Sequence, residues 1–324
     1  MKRRSSLALG RFCVLLAIGC GPAPRKAPDT HVDPLPQTTR APTAPVTPPA
    51  ASPTREPTLE SNAELRKRCD SGGLAGCVAL GDRLREGQDV AVDENGKPTI
   101  VPSAPDYDAA LELYHRGCGG GLADGCAQIG LMTLDGLGLP PNLQQALDLL
   151  SRACDAGGAR GCTRLGALYL TASGVPRDTA RAFAYSEAGC KGKDGMGCVN
   201  LGLMYEAGDG VRRDAIQALA LFNKACGLQQ GRGCALVGEH YAEGTGQAQN
   251  AKLAEMFNVR GCRLGDGRAC GNAGVGYQVG FGSKPDPKRA AQYFAKACAA
   301  GERRYCELLE RVKQRTAGGS ATAP

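Results

Sequence analysis

The sequence predicts an all-α solenoid of repeated helical hairpins. Three observations lead there: cysteine pairs on a fixed period, a helix-capping side chain at one register of each period, and a glycine inside a helix pattern at another. The composition already argues for repetition, since 324 residues with 16 cysteines, 46 glycines and no tryptophan make an unusual single globular domain. Fourteen of the cysteines pair off at eight positions apart: Cys69 with Cys77, Cys118 with Cys126, Cys154 with Cys162, Cys190 with Cys198, Cys226 with Cys234, Cys262 with Cys270, and Cys298 with Cys306. From Cys118 onward the pairs recur every 36 residues, five times in succession. A period of roughly 20 to 50 residues marks a stack of units, none of which can bury its apolar face alone.

Each period holds two helices. Twelve residues before the first cysteine stands Asp106, Asn142, Asp178, Asp214, Asn250 or Asp286, a side chain able to cap the free N–H groups of a helix start. Eight before it comes Ala110, Ala146, Ala182, Ala218, Ala254 or Ala290, and five before it a large apolar residue, Leu113, Leu149, Tyr185, Leu221, Phe257 or Tyr293. This spacing, with Gly or Ala next to the cysteine, gives one narrow face for close packing; we term this segment helix B. After the second cysteine, a stretch such as Gly161 to Tyr169 forms helix A, with Gly81, Gly130, Gly166, Gly202, Gly238 or Gly274 four positions on. Glycine costs a helix about 1 kcal/mol relative to alanine, so its return at one register predicts another backbone in close approach. Pairs such as Gly208 and Gly210, or Gly244 and Gly246, mark the turn after helix A. The first unit departs from the period: about 13 extra residues around 89–103 are expected to form a surface loop.

The pattern C-x-x-L-G-x-x-Y, a G-x-G turn, D-x-x-x-A and a closing A-C resembles the Sel1-like repeat, a relative of the tetratricopeptide repeat. With the C-x7-C pairs added it is similar to the Helicobacter cysteine-rich protein family, and more distantly to a cysteine-bridged mitochondrial assembly factor of the same repeat class. The resemblance covers roughly residues 61–315. It implies a right-handed α/α solenoid of about six full repeats plus terminal helices, cross-linked by disulfides, with a protein or extended peptide held on the concave helix A surface. It also implies an alternative activity, penicillin binding with weak β-lactam hydrolysis. The serine-lactamase elements S-x-x-K, S-D-N and K-T-G do not occur, and the histidines are His31, His115 and His240 alone. No catalytic residue, metal or cofactor is expected.

A cysteine pair eight apart spans the end of helix B and the start of the next helix A, so the two ends face each other across a short turn. A disulfide there closes a loop of about nine residues, worth roughly 2 to 3 kcal/mol in the chain-entropy model. The competing reading, metal binding, lacks a C-x-x-C or C-x-x-C-H motif. Disulfides require an oxidising compartment, and the N-terminus carries an export pattern of its own. Lys2, Arg3, Arg4 and Arg11 precede or flank an apolar run from Phe12 to Ile18, and Ala17–Cys20 resembles a bacterial lipobox. Residues 1–19 then form a signal peptide that contains Cys13, and Cys20 becomes the lipidated residue. An ordinary secretory signal cleaved nearby is the alternative.

Residues 20–60 form an expected tether, since the stretch from Gly21 to Ser61 holds eleven prolines and few large apolar groups. Residues 316–324 are expected to fray. The formal charge of +7 includes four cations of the leader, leaving +3, and no basic stripe with stacked aromatics points to nucleic acid. Tyr169, Tyr205, Tyr241 and Tyr277 keep one register and are expected in the core. The expected ligand groove lies on helix A: Gln128, Arg164, Asn200 and Asn272 two past the second cysteine (Leu236 breaks the series), and Met132, Leu168, Met204 and His240 one turn later, with spacing i, i+4 placing both sets on one face.

Overall fold

The computed structural model describes residues 59–94 and 98–318. Cys20, the leader and the proline-rich segment lie outside the described residues. The chain runs through α1 (Asn62–Asp70), α2 (Leu74–Glu86), β1 (Gln88–Val92), β2 (Pro98–Pro102), α3 (Tyr107–Gly119), α4 (Ala123–Asp135), α5 (Leu143–Asp155), α6 (Ala159–Thr171), α7 (Thr179–Lys191), α8 (Gly195–Ala207), α9 (Ala215–Gly227), α10 (Gly231–Glu243), α11 (Ala251–Arg263), α12 (Gly267–Val279), α13 (Pro287–Ala299) and α14 (Arg303–Gly318). Even-numbered helices are the A helices and odd-numbered ones the B helices. The last helix runs to Gly318, past the boundary at 315 that the sequence suggested.

Each B helix starts where its cap predicts. The side chains of Asp106, Asn142, Asp178, Asp214, Asn250 and Asp286 accept from the backbone N–H three residues on, each worth about 1 kcal/mol. The same cap residues lock the hairpin with their own N–H groups: Asp178 donates to the Tyr169 carbonyl at 3.1 Å, Asp214 to Tyr205 at 2.9 Å, Asn250 to Tyr241 at 2.8 Å and Asp286 to Tyr277 at 2.8 Å. One bond at one register of every unit is a direct physical source of the period.

All seven neighbouring cysteine pairs are disulfide-bonded, with Cα atoms 4.4–4.9 Å apart. Cys69 is joined to Cys77, Cys118 to Cys126, Cys154 to Cys162, Cys190 to Cys198, Cys226 to Cys234, Cys262 to Cys270 and Cys298 to Cys306. The second cysteine enters the first turn of an A helix. Cys77, Cys162, Cys198, Cys234 and Cys270 are buried there, while Cys126 and Cys306 are half-buried. These cysteines therefore clamp and fill the seam; they offer no thiol to a ligand.

The bridges draw the end of each B helix onto the start of the next A helix, and this is where backbones come closest. A Cβ on Gly125 or Gly197, next to the second cysteine, would stand 2.7 Å from the backbone nitrogen of Cys118 or Cys190. At the glycine four past the second cysteine the nearest neighbour is a side chain instead. A Cβ on Gly81, Gly202 or Gly274 would lie 2.5–2.7 Å from the ring of Tyr114, Phe222 or Phe294, which stands four before the next first cysteine. Core rings therefore seat into helix A at these glycines. Of the four tyrosines expected in the core, Tyr241 and Tyr277 are buried, stacked on Phe257 and Tyr293 with centroids 5.7 and 5.4 Å apart, while Tyr169 and Tyr205 are only half-buried.

The turn from helix B to helix A takes a left-handed residue three past the first cysteine. Five units supply Gly72, Gly121, Gly157, Gly265 and Gly301 there, with φ between 84° and 91°, while Lys193 and Gln229 adopt φ of 66° and 65°.

The segment around 89–103 is not a loop. It is an antiparallel hairpin, β1 paired with β2 from Gln88↔Pro102 to Val92↔Pro98. Val90, Val92, Ile100 and Val101 favour extended backbone, and Pro98 and Pro102 sit at the strand ends, where a missing N–H is tolerated. Asn62 Nδ2 donates to the Gln88 carbonyl at 3.1 Å, tying the hairpin to α1. Among the described residues the solenoid is thus helical apart from one small sheet.

Candidate functional site

The A helices α4, α6, α8, α10 and α12 pack directly one on the next, whereas successive B helices touch far less, α11 and α13 included. Closer stacking on one side bends the array, so the A helices lie on the inside of the curve.

On that side the expected groove residues divide. Met132, Leu168, Met204 and His240 are buried, none more than 3% exposed, and line no open surface. Three of them pack on the preceding B helix: Met132 with Ala110 and Tyr114 of α3, Leu168 with Leu150 and Ala153 of α5, and the His240 ring edge-on to Phe222 at 5.4 Å. His240 Nε2 lies 3.1 Å from Glu206 Oε1 and its Nδ1 3.0 Å from the Thr245 carbonyl. Gln128, Asn200 and Leu236 are buried as well. Gln128 donates to Asp82, which also takes the Tyr114 hydroxyl at 2.8 Å. Arg164 faces Asp135 at 3.4 Å, and Asn272 donates to Glu239 at 2.9 Å; both are part-exposed. Spacing i, i+4 does place the two sets on one face, but stacking turns that face into the seam between units. Gln128, Arg164, His240 and Asn272 reach carboxylates of the unit before, whereas the buried Asn200 Nδ2 has no hydrogen-bond partner. Burial first, and then the Asp82 carboxylate, push the Tyr114 hydroxyl far above the usual phenol range.

What faces solvent is a different register. Arg160, Arg232, Arg268 and Arg304, each two before a second cysteine, are all exposed on the first turn of an A helix. Arg160 Nη1 reaches Asp82 Oδ2 at 3.2 Å, Arg268 Nε reaches Glu239 Oε1 at 2.6 Å, and the Arg304 guanidinium lies 4.5 Å over the Tyr305 ring. The sequence carried the signal, arginine at multiples of 36 residues, and the groove reading passed over it.

A cleft of about 350 Å³ opens between α10 and α12, lined by Glu239, Asn258, Asn272, Val275, Gly276 and Phe281 among others. It occupies the place that a buried side chain fills in the other units, since Gly276 takes the register of Met132, Leu168, Met204 and His240.

A model of the Sel1 repeat matches residues 94–122, 123–158, 159–194, 195–229, 231–266 and 267–302, more than half of the chain. The chain belongs to the Sel1 repeat family. Among solved structures, this Sel1 repeat chain is similar to a protective antigen of uropathogenic Escherichia coli strains with an SLR fold, at 22% identity and a TM-score of 0.56, over 82% of this chain and 53% of that one. It thus spans about half the length of the antigen. It is also similar to a Sel1 repeat protein from Oxalobacter formigenes, at 17% identity and a TM-score of 0.57, over 74% of this chain and 97% of that one. Helicobacter pylori cysteine rich protein B is 32% identical over 40% of this chain and 92% of its own, with a TM-score of 0.34. No curated protein matches the chain by sequence.

In this Sel1 repeat array no group of three or more His, Cys, Asp and Glu side chains gathers among the described residues in a way that could hold a metal ion. Nor, among the described residues, is any helix long and apolar enough to cross a membrane.

Proposed function

We propose that this chain is an exported, lipid-anchored Sel1 repeat scaffold that binds a protein or extended peptide along the inner, helix A side of its curve. The observation that carries this reading is the exposed row of Arg160, Arg232, Arg268 and Arg304, spaced at multiples of the repeat and interrupted once, at Met196. Guanidinium groups donate in a fixed fork to carboxylates and peptide carbonyls, so a row of them suits an extended polypeptide lying across several units. Sel1 repeat arrays generally serve protein interaction, which fits a chain whose surface repeats. Part-exposed Arg164 and Asn272 flank the row and stay in the proposed contact area; the buried members of the expected groove do not.

Export is supported by the disulfide at every B-to-A turn, which a reducing cytosol would oppose, and by the leader pattern ending at Cys20. The proline-rich segment then acts as a spacer, at up to about 3.1 Å per residue where it is extended. Two experiments test the proposal. Labelled fatty acid should enter the wild-type chain in its host and not Cys20→Ala. Crosslinking in cells should yield adducts that disappear in R232E/R304E while the melting temperature holds; adducts unchanged in that variant would remove the arginine row from the binding surface.

A further inference from the structure

The cleft beside Gly276 is a core position that this unit leaves open. In the neighbouring unit the equivalent volume holds the His240 imidazole, enclosed by Phe222, Glu206 and the Thr245 carbonyl. Counting one period on, Phe222 becomes Asn258, His240 becomes Gly276 and Thr245 becomes Phe281, and all three line the cleft. Two reductions in size, ring to amide and imidazole to hydrogen, hollow it out. A Cβ on Gly276 would meet no atom closer than the Phe281 carbonyl at 3.4 Å. The volume of about 350 Å³ is at the small end for ligand sites, the scale of one long side chain.

The walls specify what enters. Asn258 is only 6% exposed, and its buried Oδ1 has no hydrogen-bond partner within the protein; the same holds for the buried Oε2 of Glu255, also a lining residue. After burial, a hydrogen bond to the Glu255 carboxylate and then that carboxylate's charge raise the Tyr277 hydroxyl above the usual phenol range, so a negative charge stands close to that wall with its Oε2 still open. Both open atoms are acceptors, and one belongs to a carboxylate, so the deficit is in donors and in positive charge. The two exposed cationic side chains at the rim turn away from these acceptors, Arg268 toward Glu239 and Arg304 over the Tyr305 ring. Val275 and Val279 are exposed on the same wall, 40% and 64%, and Phe281 adds an aromatic surface. An aliphatic stem ending in a donor-rich cation matches each part of this lining.

We propose that the cleft receives an arginine or lysine side chain of the bound polypeptide, its stem against Val275, Val279 and Phe281 and its N–H groups on Glu255 and Asn258. This rests on the scaffold reading above and adds the anchor residue that the partner brings. The test is titration of the oxidised, full-length exported chain by NMR and calorimetry with N-acetyl-arginine methylamide and N-acetyl-lysine methylamide, against the norleucine and glutamate analogues and spermidine. One of the cationic amides should bind one to one. Gly276→Met, which restores the filling of the other units, should abolish that binding without lowering the melting temperature, and Glu255→Gln, which leaves the cleft open, should weaken it about tenfold or more. Equal binding of norleucine, no saturable binding of either cationic amide, or binding that survives Gly276→Met would overturn the assignment. Tighter binding of spermidine than of the capped amino acids would overturn it too, by assigning the cleft to a free polyamine. If the titration fails while R232E/R304E still loses its crosslinks, the anchor is wrong and the scaffold stands; if the titration succeeds and the crosslinks persist, the reverse holds.

Discussion

Removing one disulfide at a time measures what the bridges contribute. Each closes a loop of the same length, and for about nine residues the chain-entropy model gives a loss of roughly 8.7 cal/mol/K in the unfolded chain, or about 2.6 kcal/mol at 25 °C. The terminal pair Cys298 and Cys306 is part-exposed, whereas Cys190 and Cys198 in the middle are 2% and 0% exposed. C298A/C306A should therefore lose little beyond the loop term. C190A/C198A should lose that term plus the packing of two buried sulfurs, about 3 to 5 kcal/mol in all. Alanine is the right replacement, because serine would bury a hydroxyl among apolar neighbours. Urea unfolding followed by circular dichroism gives the free energies. Hydrogen exchange should place the loosening in α7 and α8, because units in a solenoid couple mainly to their neighbours. A loss below about 0.5 kcal/mol in the terminal variant would refute the entropy argument, and protection lost evenly along the chain would refute local coupling.

Three further outcomes follow from single positions. Lys193→Gly and Gln229→Gly should each stabilise by about 0.5 to 1 kcal/mol in urea melts, since relief of left-handed strain exceeds the added freedom of the unfolded chain; destabilisation would contradict the assigned φ of 66° and 65°. Gly202→Ala should cost about 1 to 2 kcal/mol despite alanine's better helix propensity, because its Cβ would stand 2.5 Å from the Phe222 ring, while Gly130→Ala, 3.0 Å from Leu150, should be close to neutral. Burial and Asp82 raise the ionisation of Tyr114 in the folded state, so its contribution is complete below pH about 10 and is lost as pH climbs beyond. Tyr114→Phe should be less stable at pH 7 by about 1 kcal/mol and fall less steeply above pH 10, as melts across that range would show.

The helices, their caps and the disulfide pairs were legible because each is set by local chemistry at a fixed register: a cap side chain three residues from its N–H, or two cysteines across one turn. The direction of a helix face was not. Met132, Met204 and His240 share a face with Gln128 and Asn200, as their spacing states, but whether that face opens to solvent depends on how the next unit stacks, which no single hairpin encodes. The half-buried carboxylate partners of Gln128 and His240, Asp82 and Glu206, lie 46 and 34 residues away. The hairpin of β1 and β2 did leave a local trace, β-branched residues on both sides of a polar stretch with a glycine, Asp93 to Lys97. The cleft was written as a break in the pattern: Gly276 where other units place a bulky residue, and Asn258 where most place an aromatic or leucine.

Peptide mapping of the unreduced, exported protein by mass spectrometry tests the covalent framework most directly. Seven linked species should appear, each joining cysteines eight residues apart, from Cys69 with Cys77 through to Cys298 with Cys306, and with no free thiol among the fourteen. Bridges between different turns, or a predominance of free thiols, would contradict both the clamped solenoid and its export.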